Sequence, residues 1–183
     1  MVGGQVELMN ESGLKTGMKN FPLSHRSIYD GLFTFMTVQQ GAMMINKSLL
    51  PNGFVWYNDN AKTAEEVDLF FRLFKYGNFA NLRVSTLSYR QYDSSTSLSQ
   101  PKLTFFNTFR TRKLAVKFYG YKPSFKAKIL NLIQFVVVSI LPSNFIYPVF
   151  AIIRGLNSVS KILGIEKRVF LNMLKRYNLA NAE

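Results

Sequence analysis

Two apolar runs divided by a proline set the tightest limit on how this chain folds. Ile129 to Leu141 reads ILNLIQFVVVSIL and Phe145 to Ile153 reads FIYPVFAII, with Pro142, Ser143 and Asn144 between them. At a rise of about 1.5 Å per residue the two pieces reach about 20 Å and about 14 Å as helices, against a hydrocarbon core of about 30 Å, so neither crosses a bilayer. Proline removes a backbone donor and clashes with the preceding turn, so Pro142 breaks a single straight helix through both runs. The expectation is two short helices lying in a membrane interface or forming a shallow hairpin. The competing readings are core helices of a larger protein and a single tilted spanning helix. Lys128, Asn131 and Gln134 recur at a spacing of three and give the first piece one narrow polar face, while Lys126, Lys128 and Arg154 bracket the pair as headgroup anchors.

The net charge of +13 is concentrated in the same half. Residues 1–99 carry nine Lys or Arg against eight Asp or Glu, and residues 100–183 carry the remaining fourteen against two. Basic side chains around apolar runs fit an anionic membrane surface. Nucleic-acid binders keep long apolar runs inside a core, so nucleic acid is not an expected partner. With 48% hydrophobic residues among 183, the chain can bury one real core. Cysteine is absent, which excludes a disulfide framework and a thiolate metal site, and the single histidine, His25, reads as a loop or cap residue rather than a zinc ligand.

The order of the elements is that of an α/β chain. VGGQVELMNESG reads as a strand followed by an Asn-Glu-Ser-Gly turn, residues 24–37 as a helix capped by Ser24, and Gly41 to Asn46 as a short buried strand. Pro51, Asn52 and Gly53 open a loop carrying Phe54, Trp56 and Tyr57, aromatic side chains suited to stacking on sugars. Thr86 to Tyr92 has strand propensity, and Asp93 to Ser99 reads as a polar loop. A helix follows, with Ser99 as cap, Pro101 in its first turn, Gly120 as its stop, and Arg110, Lys113 and Lys117 as a basic stripe. No internal repeat is present.

Between the aromatic loop and the Thr86 strand lies TAEEVDLFFRLFKYG, residues 63–77, where Glu65, Glu66 and Asp68 crowd the first turns of a helix. Crowded carboxylates raise one another's pKa, and the helix N-terminus favours the ionised form, so one of them can be poised as a proton acceptor. Thr63 and Glu66 are also spaced as a capping box, which gives the same acids a purely structural use.

Taken in sequence, these segments resemble the second half of the catalytic domain of family 2 glycosyltransferases, which have the GT-A fold. The likeness runs through VGGQVE, FPLSHRSIYDGL, QQGAMMINKSLLPNGFVWYN, AEEVDLFFRLFKYG and FANLRVSTLSYR, then a Ser-rich turn, covering roughly residues 1–100. The basic helix with YGYKPS and the apolar segments ending near IIRG resemble the tail of bacterial members that build surface polysaccharide. The implied fold class is α/β, a partial GT-A-like mixed sheet with flanking helices, followed by amphipathic and apolar membrane-associating helices. The implied division is an acceptor-side half at 1–100, a basic linking helix at 101–123, a membrane-associating pair at 124–155 and a basic tail at 156–183.

The resemblance implies transfer of a sugar from a nucleotide-sugar donor to an acceptor hydroxyl of a glycan or lipid-linked acceptor, at the inner face of the cell membrane. By position Glu66 is the base that takes the acceptor's proton, with Glu65 and Asp68 supporting. The family's second acid is usually Asp, which leaves the role open between Glu66 and Glu65. Trp56 and Tyr57 would contact the acceptor and Arg90 a phosphate, while Tyr92 stands where many relatives have histidine. The family's Asp-x-Asp, which holds Mg or Mn against the diphosphate, does not occur here. The divalent cation and the donor are therefore expected in the complete enzyme, not on this chain. A truncated gene product, a split enzyme with a separate N-terminal half, and a remnant kept for membrane or partner binding all fit, and the chain alone is expected to be inactive and to associate. The alternative function is a nonenzymatic membrane-surface adaptor.

Overall fold

The computed structural model describes residues 1–58, 63–91, 100–146 and 149. Three strands form one mixed sheet in the order β2-β1-β3. Strand β1 (Val2–Met9) pairs antiparallel with β2 (Lys15–Lys19) and parallel with β3 (Ala80–Arg90). The β1–β2 connection is the expected turn: Gly13 adopts φ +85, its N–H donates to the Asn10 carbonyl, and the Asn10 side chain accepts from the Leu14 N–H at 2.8 Å. Paired glycines bring β3 close to β1. A Cβ on Gly3 would stand 2.3 Å from Asn81 Oδ1, and one on Gly4 2.1 Å from Thr86 Oγ1.

Strand β3 is longer than the Thr86–Tyr92 strand expected from sequence, because Leu82 and Val84 alternate with Asn81, Arg83 and Ser85 and extend it back to Ala80. It lies at the edge of the sheet, with Leu82 48% and Val84 62% exposed. The strand expected over Gly41–Asn46 does not form. A 3-10 turn occupies Gln40–Ala42, and Met44, 78% exposed, makes only an isolated bridge to Val2.

Helix α1 (His25–Leu32) starts as expected, with Ser24 Oγ accepting from the Ser27 N–H at 3.3 Å. It stops five residues short of the expected end, since the Gly31 carbonyl takes the Thr34 and Phe35 N–H groups and the Thr34 hydroxyl, closing the chain into a turn. Helix α2 (Glu65–Leu73) is buried almost all round through Val67, Asp68, Leu69, Phe70, Phe71 and Leu73. It is the centre of the core, and each such Phe or Leu contributes about 1.5–3 kcal/mol relative to exposure.

Helix α3 (Pro101–Phe118) takes Gln100 rather than Ser99 as its N-cap and ends at Gly120, which adopts φ +71. Helix α4 (Phe125–Ile140) is capped by Ser124, whose hydroxyl accepts from the Ala127 N–H at 3.2 Å. Ala115, Tyr121 and Ala127 join the same core as α1 and α2, so the basic helix packs onto the 1–100 region rather than standing off as a link. Beyond Pro142, helix resumes at 143–146. Tyr92, the Ser-rich turn, most of the second apolar run, Arg154 and the tail at 156–183 lie outside the described residues.

Of the polar face expected on α4, Asn131 and Gln134 are directed inward, while Lys128 is exposed. Asn131 is 6% exposed and faces α3, whereas Phe125 and Ile140 are 78% and 77% exposed, with Ile129, Leu132, Ile133 and Val136 beside them. At about 100° per residue, Lys126 and Lys128 fall at the two borders of this apolar arc. Among the described residues no helix is long and apolar enough to cross a membrane.

Candidate functional site

A cleft of about 230 Å³ opens where the start of α2 meets α3 and the sheet. Thr63, Glu66 and Val67 form one wall, and Thr104, Thr108 and Arg112 of α3, one turn apart, form another. Lys19 and Tyr89 close the sheet side, the Lys19 ammonium lying 4.7 Å from the Tyr89 ring centroid. Gln39 and Phe35 line it from the segment after α1.

Glu66 reaches this cleft because the capping box does not form. Ala64 is the N-cap of α2, without a side-chain cap bond, and Thr63 sits outside the helix at φ +60, a left-handed conformation costly for a β-branched residue. The Thr63 hydroxyl accepts from Asn107 Nδ2 at 2.9 Å, tying the turn to α3 instead of to Glu66. Burial pushes the Glu66 carboxyl above its ordinary range, its own backbone N–H works against this, and the charge of Glu65 adds to it. A carboxylate so raised is a stronger base than an exposed one.

The other acids of α2 stand elsewhere. Glu65 is half-exposed at the first helical position and is not part of the cleft lining. Asp68, 1% exposed, is engaged by both oxygens: Arg72 Nε donates to Oδ2 at 2.8 Å and the Tyr119 hydroxyl to Oδ1 at 2.6 Å. Arg72 Nη1 and Nη2 continue to the carbonyls of Val55 and Trp56. Burial, followed by the bond to Asp68, pushes the Tyr119 hydroxyl up to about 12. This network holds the aromatic loop against α2 and α3.

Trp56 and Tyr57 do not line the cleft. Trp56 packs on the core edge, 5.4 Å from Phe54 between ring centroids, and Tyr57, 46% exposed, accepts from Gln40 Nε2 at 2.6 Å. Arg90 is also remote, its Nη1 donating to the carbonyls of Asn10 and Glu11 in the β1–β2 turn. His25 opens α1, accepts the Phe79 N–H at 3.1 Å on Nδ1 and packs against Phe74 and Tyr29.

Arg112 is the cleft residue that sequence reasoning passed over. It lies on the face of α3 opposite the exposed Arg110, Lys113 and Lys117, and is 4% exposed. Nη1 donates to Asn131 Oδ1 at 2.8 Å and Gln134 Oε1 at 3.1 Å, and Gln134 passes a bond to the Thr34 carbonyl at 2.9 Å. Burial lowers Arg112 to about 10, which leaves it cationic at neutral pH. Two polar residues at a spacing of three in an otherwise apolar helix, Asn131 and Gln134, were the available sign that α4 covers a buried polar group.

Among the described residues, Glu66 is the sole carboxylate of the cleft lining, which it shares with Arg112 and Lys19. Among the described residues no group of three or more His, Cys, Asp or Glu comes together. Compared with known proteins, the chain matches no family model, no curated protein and no solved structure.

Proposed function

We propose that this chain is the acceptor-side half of a membrane-associated family 2 glycosyltransferase, with Glu66 as the catalytic base. One observation carries the reading: a half-buried carboxylate, released from helix capping and raised in pKa, lines a cleft beside a buried cation. Glu66 takes the proton of an acceptor hydroxyl as its oxygen bonds to the anomeric carbon of the donor sugar. The bond from that carbon to the nucleoside diphosphate breaks, and the diphosphate leaves with the electron pair. The divalent cation that neutralises a leaving diphosphate would be held by a separate nucleotide-binding half.

Among the described residues no strand pairs with the outer edge of β3, which beyond the Asn81 N–H bond to the Leu23 carbonyl exposes Leu82 and Val84, and this supports docking of such a half by strand addition. The outward apolar face of α4 and the exposed lysines of α3 support residence on an anionic membrane, at its inner face by the family resemblance. The same α4 face favours a second reading, a nonenzymatic membrane-surface adaptor.

The test is co-expression with the nucleotide-binding half of a family 2 enzyme and assay for sugar transfer. Transfer that collapses in Glu66→Gln is the expected result. Transfer that persists in Glu66→Gln overturns the base, and vesicle binding without transfer in any combination favours the adaptor.

A further inference from the structure

We propose that the Glu66 cleft binds an oxyanion, with Arg112 holding a phosphate or carboxylate carried by the acceptor while the acceptor's hydroxyl faces Glu66. The Glu66 half of this statement rests on the proposed function, and the Arg112 half does not. Arg112 is 4% exposed, yet its partners Asn131 and Gln134 are neutral, and its Nε has no partner. No carboxylate stands within ion-pair distance of it among the described residues. A buried guanidinium satisfied only by amides keeps an uncompensated charge, a state that an incoming oxyanion relieves.

A second orphan lies on the same wall. Thr104 Oγ1 is buried without a partner, whereas Thr108, between it and Arg112 on the helix face, donates to the Thr104 carbonyl at 2.8 Å. Thr104 and Arg112 thus carry two unused groups, both buried within the wall of one cleft, with Lys19 also in its lining. Glu66, in the same lining, forms no ion pair with Arg112. The space between separated opposite charges fits a ligand with an anion at one end and a neutral hydroxyl donor at the other. At about 230 Å³ the cleft is smaller than the roughly 300–1,000 Å³ of drug-sized pockets and suits a single sugar ring.

The experiment is calorimetric titration of the full chain, bound to neutral lipid nanodiscs, with glucose 1-phosphate, glucuronate, inorganic phosphate and glucose. Either or both charged sugars should bind, and glucose should bind about tenfold or more weaker, in line with one lost charged hydrogen bond. The phosphate and carboxylate arms identify which anion the site takes. Arg112→Gln should weaken charged-sugar binding about tenfold or more, and Thr104→Val, which preserves the shape of the helix, should weaken it severalfold. Glu66→Gln should retain or tighten it by removing a like charge. Equal affinity for charged and neutral sugars, no binding by the native chain, or binding unchanged in Thr104→Val and in a folded Arg112→Gln would overturn the proposal. The titration needs no turnover. Intact anion binding with transfer unaffected by Glu66→Gln therefore sinks the base alone, and lost transfer in Glu66→Gln without anion binding sinks the oxyanion site alone.

Discussion

Tyr119 donates its hydroxyl hydrogen to Asp68 Oδ1 at 2.6 Å, joining the end of α3 to the middle of α2 across 51 residues of sequence. Asp68 also takes Arg72 Nε at 2.8 Å, so a buried carboxylate, a guanidinium and a phenol form one unit beneath the aromatic loop. Removing one member of a buried pair strands the other. Asp68→Ala should therefore cost about 3–5 kcal/mol of stability, and Tyr119→Phe about 1–3 kcal/mol, read by urea denaturation. A loss within error for both would show that the unit is not cooperative.

Glu66 gives the fold a pH dependence of definite sign. Its folded pKa is raised, so the stability it contributes is present below its ordinary value of 4.5 and is lost as pH rises through the folded value. Glu66→Gln should melt higher than the native chain at neutral pH, and the gap should close by about pH 4. Paired thermal melts at the two pH values check this, and an equal gap at both refutes the burial of the charge.

In a transfer assay with a nucleotide-binding half, Glu66→Gln should lower kcat by about 10²–10⁴-fold, the range of a lost general base. Asp68→Asn, if it folds, should affect stability more than the pH profile of kcat, because Asp68 faces Arg72 and Tyr119 rather than the cleft. A pH profile displaced equally by both variants would place the base elsewhere.

Arg112 and Asn131 should behave as a coupled pair. Asn131→Leu removes the 2.8 Å acceptor from a buried cation and should cost about 1–3 kcal/mol. The double variant Arg112→Met with Asn131→Leu should be more stable than the sum of the single losses, as for buried charges replaced by apolar side chains. Strict additivity in a double-mutant cycle contradicts the pairing.

Flotation with anionic vesicles should recover the chain at low salt and less of it at high salt, since Lys113 and Lys117 are exposed beside the rings of Phe109 and Phe118. Ile133→Glu should reduce recovery at every salt concentration without lowering the melting temperature, because Ile133 is 51% exposed. Recovery unaltered by Ile133→Glu removes α4 from the contact.

The strongly patterned parts of the chain were legible in its sequence. The Asn-Glu-Ser-Gly turn, the Ser24 cap and Gly120 each carry local chemistry that tertiary packing leaves intact. The Thr63–Glu66 spacing matched a capping box, but Asn107, 44 residues away, claimed the Thr63 hydroxyl. Gly41–Asn46 failed as a strand because Gln40–Ala42 closes into a 3-10 turn, leaving a single Val2–Met44 bridge on the edge of β1 that β2 does not reach. Strand β2 is short and mixed in character, and the first half of β3 exposes Leu82 and Val84 while burying Asn81, the reverse of the usual alternation, so neither gave a clean strand signal. Of the site, Glu66 was visible as a helix-start acid, whereas Arg112 was not, since spacing grouped its neighbours Arg110 and Lys113 and only the contacts of α4 reveal which way it points.

The inward bonds of Asn131 and Gln134 fix the rotation of α4 about its own axis. A free amphipathic helix can roll to hide its greasy side when it leaves a bilayer, but here such a roll would tear two amides from a guanidinium. On the proposed membrane reading, α4 would keep its apolar arc outward on leaving the bilayer, so that extraction would need detergent to take the place of lipid.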